Sequence, residues 1–375
     1  MFHTILTLVY IIPNIYVFLR IWKLFIDKAY KLHYTLVYLL TASVYPLSNL
    51  FSDEATFFPD TILNFAAGYL LPFYLYLFLF VLISDIILLA NRILKIVPGW
   101  KFETPRFKIA GLLLILFLSV SVILAGAINF NTIRTSEYRI EIAAGSSHID
   151  SLKIAFAADF HLKTETNIHF VERFVDKIRI IDPDILLFGG DIVDDEREND
   201  RMKSFEKLLK GLSFRYGAYS VLGNHEHYSG QDEGRFFPGS GIKVLRDTVV
   251  VIDNAFILAG RNDSHLKGRK TIDELLQNVP DSLPVIIVDH RPSEIEEVSK
   301  TIADVQLSGH THNGQLFPLN FVLKKMNTLS WGYKKFRNTH FFVTSGIRLW
   351  GPPVRTTGKS EIMVIKIIFG DNADN

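Results

Sequence analysis

Within its first 130 residues this chain carries long apolar stretches near residues 2–19, 33–51, 65–90 and 109–128. Each approaches the ~20 residues that a helix needs to cross a bilayer. Beyond residue 130 the composition becomes that of a mixed soluble domain. A chain of 375 residues exceeds one ordinary core. We therefore expect a transmembrane helical domain over 1–130 with four spans, followed by a soluble domain over 131–375. The first stretch is the weakest span, because Pro13 and Asn14 interrupt it. Pro46 and Pro72 are tolerable where neighbouring helices satisfy the freed backbone. A cleaved signal peptide fits poorly: no basic segment precedes the first stretch and no small-residue cleavage site follows it.

The connecting loops set an expected orientation. Arg20, Lys23, Lys28 and Lys31 lie between the first two spans, and Arg92, Lys95, Lys101, Arg106 and Lys108 between the last two. The middle connection holds Asp53, Glu54 and Asp60 without Lys or Arg. Basic loops face the cytoplasm, which puts both termini and the soluble domain outside it, in a multi-pass protein of the inner or plasma membrane. Losing the first span would invert this topology. Asp85 is the acidic residue inside a span; such groups are rare and often functional, although a place near the inner interface explains it more simply.

Composition removes several chemistries. A net charge of +1 with no basic stripe argues against nucleic-acid binding. The absence of cysteine excludes disulfides, thiolate catalysis and Cys-based zinc sites.

In the soluble half, short β-branched runs alternate with helical periodicity, which predicts an α/β fold. Strands are expected near 138–142, 152–158, 185–188, 217–222, 248–252, 256–259, 284–288, 305–308 and 341–344, with 361–368 closing the sheet. Helices are expected over 168–181 and 201–212, and the Gly- and charge-rich segment 229–241 reads as an excursion from the scaffold. The polar residues fall at strand ends: Asp159 and His161, then Asp191 and Asp194, Asn224 and His225, Asp289 and His290, and finally His310 and His312. Loops at the carboxyl ends of strands in an open α/β sheet converge on one crevice. A metal site is the economical explanation for five such clusters.

The ordered pieces Asp159-Phe160-His161, Gly190-Asp191-Ile192-Val193-Asp194, Gly223-Asn224-His225-Glu226, Asp289-His290 and Gly309-His310-Thr311-His312 resemble the calcineurin-like metallophosphoesterase superfamily over most of residues 150–315. Each piece alone is weak; the ordered set is specific. The resemblance implies a four-layer α/β/β/α domain with two metal ions. Asp159, His161 and His312 would bind the first, Asn224, His290 and His310 the second, and Asp191 would bridge them. Mixed nitrogen and oxygen donors suit Mn²⁺, Fe or Zn²⁺. Two such ions can share and acidify a hydroxide and neutralise phosphoryl oxygens. By the same resemblance His225 is the general acid for the leaving group, oriented by Asp194. Of the remaining histidines only His227 draws interest, and a packing role explains it more simply. Glu226 could support the ligands from behind or be merely a turn residue, and the second explains it more simply.

Serine/threonine protein phosphatases of the superfamily carry phosphate-clamping arginines where this chain has Asp195 and Leu222, which disfavours that activity. The tail from Ser345 to Arg355, with Asn313-Gly314-Gln315, resembles the bacterial membrane-associated phosphodiesterase branch. Arg348, Arg355 and Trp350 are candidates for substrate contact, with surface roles equally compatible. The reading is a phosphodiesterase or pyrophosphohydrolase acting on a phosphoester, possible substrates including envelope or lipid-linked ones, and with the bilayer as its other partner. Oligomeric state is not legible. The alternative is a metal-dependent binding or sensing module without catalysis, which the completeness of the ligand set disfavours. A transporter or receptor role for the helices finds little support in their residues.

Overall fold

The computed structural model describes residues 2–51, 58–163, 166–194, 200–228 and 236–370. It divides into two compact units, Met1–Ile128 with Gly351–Thr356, and Asn129–Trp350 with Thr357–Asn375.

The first unit comprises α1 (Phe2–Leu24), α2 (Lys31–Ala42), α3 (Val44–Phe51), α4 (Phe58–Leu94), α5 (Gly99–Glu103) and α6 (Pro105–Asn131). Ile62–Leu94 and Pro105–Asn131 are long and apolar enough to cross a membrane, by length and composition. The single span expected over 33–51 is instead split into helices of 12 and 8 residues. Pro46 lacks the N–H that would bond back to residue 42, so the ladder fails there. By contrast, α1 runs unbroken through Pro13. Asn14, read from sequence as an interruption, is buried and binds inward: Nδ2 donates to the Tyr10 carbonyl at 2.9 Å, and Oδ1 accepts from the Tyr38 hydroxyl at 2.8 Å. Such amide contacts join helices where no hydrophobic drive separates helix from lipid. Asp53 and Glu54 lie outside the described residues.

Asp85 does not stand alone among the helices. It pairs with Arg20, whose Nε donates at 2.6 Å and whose Nη2 donates to the other carboxylate oxygen, and it accepts from the Tyr16 hydroxyl. The sequence places Arg20 among the loop cations; the structure places it on α1, bound to α4. We expect Asp85→Asn to leave Arg20 without its counter-charge. A charged hydrogen bond is worth about 1.5–3 kcal/mol, so the detergent-solubilised chain should melt several degrees lower. Adding Arg20→Gln should restore most of the loss. Differential scanning fluorimetry of the single and double variants checks this, and equal melting of Asp85→Asn and wild type would defeat it.

The second unit contains β1 (Ile133–Ala143), β2 (Ser151–Ala157), α7 (Ile168–Ile181), β3 (Ile185–Phe188), α8 (Asp200–Lys210), β4 (Ala218–Ser220), α9 (Asn224–Tyr228), α10 (Phe236–Ser240), β5 (Lys243–Val244), β6 (Thr248–Ile252) and β7 (Phe256–Gly260). After these come α11 (Ile272–Leu276), β8 (Val285–Val288), α12 (Ile295–Val298), β9 (Val305–Ser308), α13 (Leu319–Met326), β10 (Gly332–Phe336), β11 (Thr339–Val343) and β12 (Ser360–Gly370). The strands form two six-stranded sheets, ordered β1-β12-β2-β3-β4-β5 and β10-β11-β9-β8-β7-β6. Expected as the closing strand, β12 instead lies inside its sheet, parallel to β1 and antiparallel to β2.

Side-chain alternation explains how the sheets are covered. Leu152, Ile154 and Phe156 of β2 share one core with Leu258, Ile286 and Leu307 of the other sheet. On the opposite face Ala155 and Ala157 join Phe170 and Phe174 of α7 and Phe205 of α8. The far face of the second sheet, through Ile257 and Ile287, packs with Leu275 of α11 and Ile295 of α12. The strands β2, β3, β4 and β5 run parallel, as do β7, β8, β9 and β11. Residues 229–235 of the expected excursion lie outside the described residues. The rest of it is packed, since Phe236 and Phe237 are buried in the core beneath α7 and α8.

Candidate metal centre

Five strands deliver the polar loops: Asp159 and His161 follow β2, Asp191 and Asp194 follow β3, Asn224 and His225 open α9 after β4, His290 follows β8, and His310 and His312 follow β9. Backbone bonds lash these loops together. Asp159 N donates to Gly190 O at 2.9 Å, His161 N to Asp191 O at 3.0 Å, and Gly309 N to His290 O at 2.8 Å. Five of the seven expected ligands, Asp159, His161, Asp191, His310 and His312, have positive φ, between 47° and 70°. Left-handed backbone is costly for residues with a Cβ and persists where the surroundings over-determine it, as at functional sites.

Two glycines are needed for close approach. A Cβ on Gly223 would fall 2.2 Å from an Asp191 oxygen, and one on Gly309 would fall 2.7 Å from an Asp159 oxygen. Any side chain there would occupy the space in front of the carboxylates.

The seven residues converge. Asp159, His161 and His312 form one group able to hold an ion, and Asp191, His290 and His310 form another. Asp191 also groups with His161 and His225, so its carboxylate faces both sides. Asp191 Oδ2 lies 3.2 Å from His290 Nε2 and 4.0 Å from His161 Nε2. Asn224 Oδ1 is 3.3 Å from His290 Nε2, and His310 Nδ1 is 3.2 Å from the same nitrogen.

Tautomers follow from the outer contacts. His290 Nδ1 donates to the Gly189 carbonyl at 2.7 Å, and His161 Nδ1 donates to Asp194 at 2.7 Å. Each therefore turns Nε2 inward, the atom through which a metal-binding imidazole would coordinate on losing its proton. His161 Nε2 is buried with no hydrogen-bond partner. An orphaned buried acceptor is expensive unless something positive fills the gap. These residues fit a metal centre of nitrogen and oxygen donors.

The electrostatics agree. Burial raises the Asp159 carboxyl to about 6, with the neighbouring Asp191 charge adding to the effect. Burial also opposes ionisation of Asp191, but His290 beside it overrides this and holds the group well below the usual carboxylate range. His290 is pushed up to about 10: burial disfavours its charge, and Asp191 outweighs burial. Two buried carboxylates drawing on imidazoles for positive charge is the signature of a site that wants cations.

His225 lies beside this cluster. Its Nδ1 is 3.1 Å from Asp194 Oδ1, its backbone N–H donates to Asp191 Oδ1 at 2.9 Å, and its side chain is 23% exposed. Burial lowers its tendency to carry a proton, but the Asp194 hydrogen bond raises it further. Asp194 thus contacts both His161 and His225, and it also forms an ion pair with Lys163 at 3.5 Å. The rings of Tyr228 and Trp350 lie 5.6 and 6.5 Å from that of His225.

The other tail candidates are held by their own packing, although the Arg348 backbone N–H donates to the Asp159 carbonyl at 2.9 Å. Arg348 stacks over Phe130 and Phe170, and Arg355 is fully buried in a segment that folds with the first unit. The burial of Arg355 removes the surface role that sequence left open for it, whereas Arg348 is partly buried. His227 belongs to none of the ion-capable groups among the described residues. Asp195 lies outside them.

Three features escaped the sequence reading. Glu226 is buried, and its carboxylate accepts from the backbone N–H groups of Asp191, Ile192, Val193 and Gly223. It is the clamp between two ligand loops, not a turn residue. Asp289 is buried against Arg261 and Arg269, a salt-bridged base beneath His290. Arg291 reaches Asn224 Oδ1 at 3.1 Å. For Glu226 the available signal was its spacing after Gly223-Asn224, where a carboxylate beside exposed loop amides has donors to take.

A family model described as calcineurin-like phosphoesterase matches residues 152–314. An uncharacterized metallophosphoesterase of Aquifex aeolicus is 32% identical over 63% of this chain and 92% of its own length. One from Helicobacter pylori is 32% identical over 58% of this chain, and the chain spans 60% of that relative. A transmembrane protein with metallophosphoesterase domain from Danio rerio is 27% identical over 57% of this chain and 52% of its own length. The motif order at the strand ends and a relative matched over nearly its whole length lead to one assignment: this chain belongs to the calcineurin-like metallophosphoesterase family.

Proposed function

We propose that the second unit is a metal-dependent phosphoester hydrolase with a dinuclear centre, acting on phosphodiesters or pyrophosphates rather than phosphoproteins. We extend this to a domain of four layers, α/β/β/α, over residues 131–375, anchored through a multi-span membrane domain over 1–130, with its site outside the cytoplasm. The observation that carries the reading is the placement of Asp191, whose carboxylate belongs to ion-capable groups on both sides of it. Asp159, His161 and His312 would hold one ion, Asn224, His290 and His310 the other, and Asp191 both. Bound ions would supply Lewis acidity and an acidified water at neutral pH; Mn²⁺, Fe or Zn²⁺ suit the donors.

The chain's own residues do the rest. Asp194 fixes the His225 ring by accepting from Nδ1, leaving Nε2 to deliver a proton to the departing oxygen. The exposed rings of Tyr228 and Trp350, 5.6 and 6.5 Å from that of His225, are placed to flank a leaving group beside that proton donor. A binding module without catalysis would need neither His225 nor its Asp194 contact.

The test is turnover of bis-p-nitrophenyl phosphate by the purified full chain with Mn²⁺, against a chelated control and His225→Ala. General acids contribute about 10²–10⁴-fold. We expect a loss of kcat in that range with metal content unchanged. Wild-type protein that binds metal but turns over no phosphoester would leave the binding-module reading in its place.

A further inference from the structure

Arg291 follows an expected ligand directly and has no part in the chemistry described so far. Its Nε donates to Asp263 at 2.8 Å, and Asp263 is fully buried, with its other oxygen taking the His265 N–H at 2.9 Å. Nη2 donates to Asn224 Oδ1 at 3.1 Å and sits 3.2 Å from His265 Nδ1. No hydrogen bond of Arg291 among the described residues uses Nη1, and the side chain remains 23% exposed. A buried carboxylate that fixes Nε removes most of the freedom of a long side chain, so the planar fork is set in place before any ligand arrives. The guanidinium thus stands at the rim of the second ion-capable group, within one hydrogen bond of Asn224, with a donor face turned outward. The positions that carry phosphate-clamping arginines in protein phosphatases hold Asp195 and Leu222 here, and Leu222 is buried in the core beneath α7. Arg291 brings a fixed cation to the site from a different loop.

Counting oxygens says what that cation can do. A phosphodiester offers two non-bridging oxygens, whose charge two bound ions would neutralise. A third anionic oxygen exists on a monoester, or on the neighbouring phosphate of a phosphoanhydride. We propose that Arg291 is a specificity-determining residue that binds this additional oxygen, so that of the two substrate classes proposed above the site favours phosphoanhydrides over simple diesters, a monoester serving as a probe of the same contact. The proposal rests on the hydrolase reading above.

The experiment compares wild type, Arg291→Gln and Arg291→Lys as full-length, metal-loaded protein. It measures kcat and KM for p-nitrophenyl phosphate and bis-p-nitrophenyl phosphate, binding of inorganic phosphate and pyrophosphate by calorimetry, and metal content by elemental analysis. A charge-assisted hydrogen bond is worth about 1.5–3 kcal/mol, or roughly 10–100-fold. We expect Arg291→Gln to weaken phosphate binding and raise the monoester KM by about that factor. The diester should stay within about twofold and metal content should not change. Arg291→Lys should fall between. Pyrophosphate binding tighter than phosphate in wild type assigns the extra oxygen to an adjacent phosphate; equal binding would overturn the anhydride preference. Equal losses on both esters, or a loss of metal, would overturn the proposal, because Arg291 would then only position Asn224. Wild type inert towards both esters sinks the hydrolase reading instead, while phosphate calorimetry still decides whether Arg291 binds the anion.

Discussion

Asp191→Asn is expected to reduce bound metal to at most one ion and to bring phosphoester turnover close to background. The residue is buried, and its Oδ2 lies 3.2 Å from His290 Nε2. Its Oδ1 accepts from the His225 backbone. An amide keeps the shape and removes the charge. Removing one partner from a buried charged set costs about 3–5 kcal/mol, which at 1.4 kcal/mol per decade is roughly 10²–10⁴ in affinity. Both ions should feel it, since the carboxylate faces both groups. A change at Asp159 should instead weaken one site and spare the other, because among the described residues Asp159 groups with His161 and His312 and not with the second set. Elemental analysis after dialysis, beside turnover on the same preparation, gives the answer. Two ions retained with kcat within tenfold of wild type would remove the shared carboxylate from the mechanism.

Why the convergence of these seven side chains could be expected from sequence while the contacts around them could not is a matter of distance along the chain. Each ligand loop carries its own short pattern at a strand end, as in Gly190-Asp191 after β3 or Gly309-His310-Thr311-His312 after β9, and parallel strands bring such ends together whatever lies between. The supports connect loops that share no local pattern. Asp263 and Arg291 are 28 residues apart, and Glu226 reaches back 35 residues to Asp191. Strand identity was legible for the continuous β-branched runs, such as β3, β8 and β9. The edge strands β5 and β10 were not, since Lys243–Val244 spans two residues and Gly332–Phe336 mixes two lysines into its five. The position of β12 is set by a pairing more than 200 residues away with β1 and β2, which no local periodicity encodes. In the helical half, hydropathy identified apolar stretches but not the polar contacts of Asn14 and Asp85, because these are made on neighbouring helices.

Glu226→Ala should be the most destabilising single change at the site, in the presence or absence of metal. Its two oxygens accept four backbone N–H groups: Oε1 takes Ile192 at 2.5 Å and Val193 at 3.1 Å, and Oε2 takes Asp191 at 3.0 Å and Gly223 at 2.7 Å. The side chain is buried, so water cannot replace it without opening the loops. An unsatisfied buried donor costs about 1–3 kcal/mol. Four that share one acceptor do not add fully, and a net loss of about 4 kcal/mol is a reasonable expectation. At about 2–4 °C per kcal/mol for a unit of this size, that lowers the melting transition by roughly 10 °C. Glu226→Gln should fall between alanine and wild type, because one oxygen keeps its two donors while the new NH₂ meets the other two N–H groups head on. The local readout is hydrogen exchange: the amides of residues 191–193 and 223 should lose protection in both variants, and those of β8 should not. A carboxylate acting only through the metals would behave otherwise, with metal-free wild type and metal-free Glu226→Ala melting together. That coincidence, or unchanged protection at residues 191–193, would show that the ligand loops hold their strained backbone without the clamp.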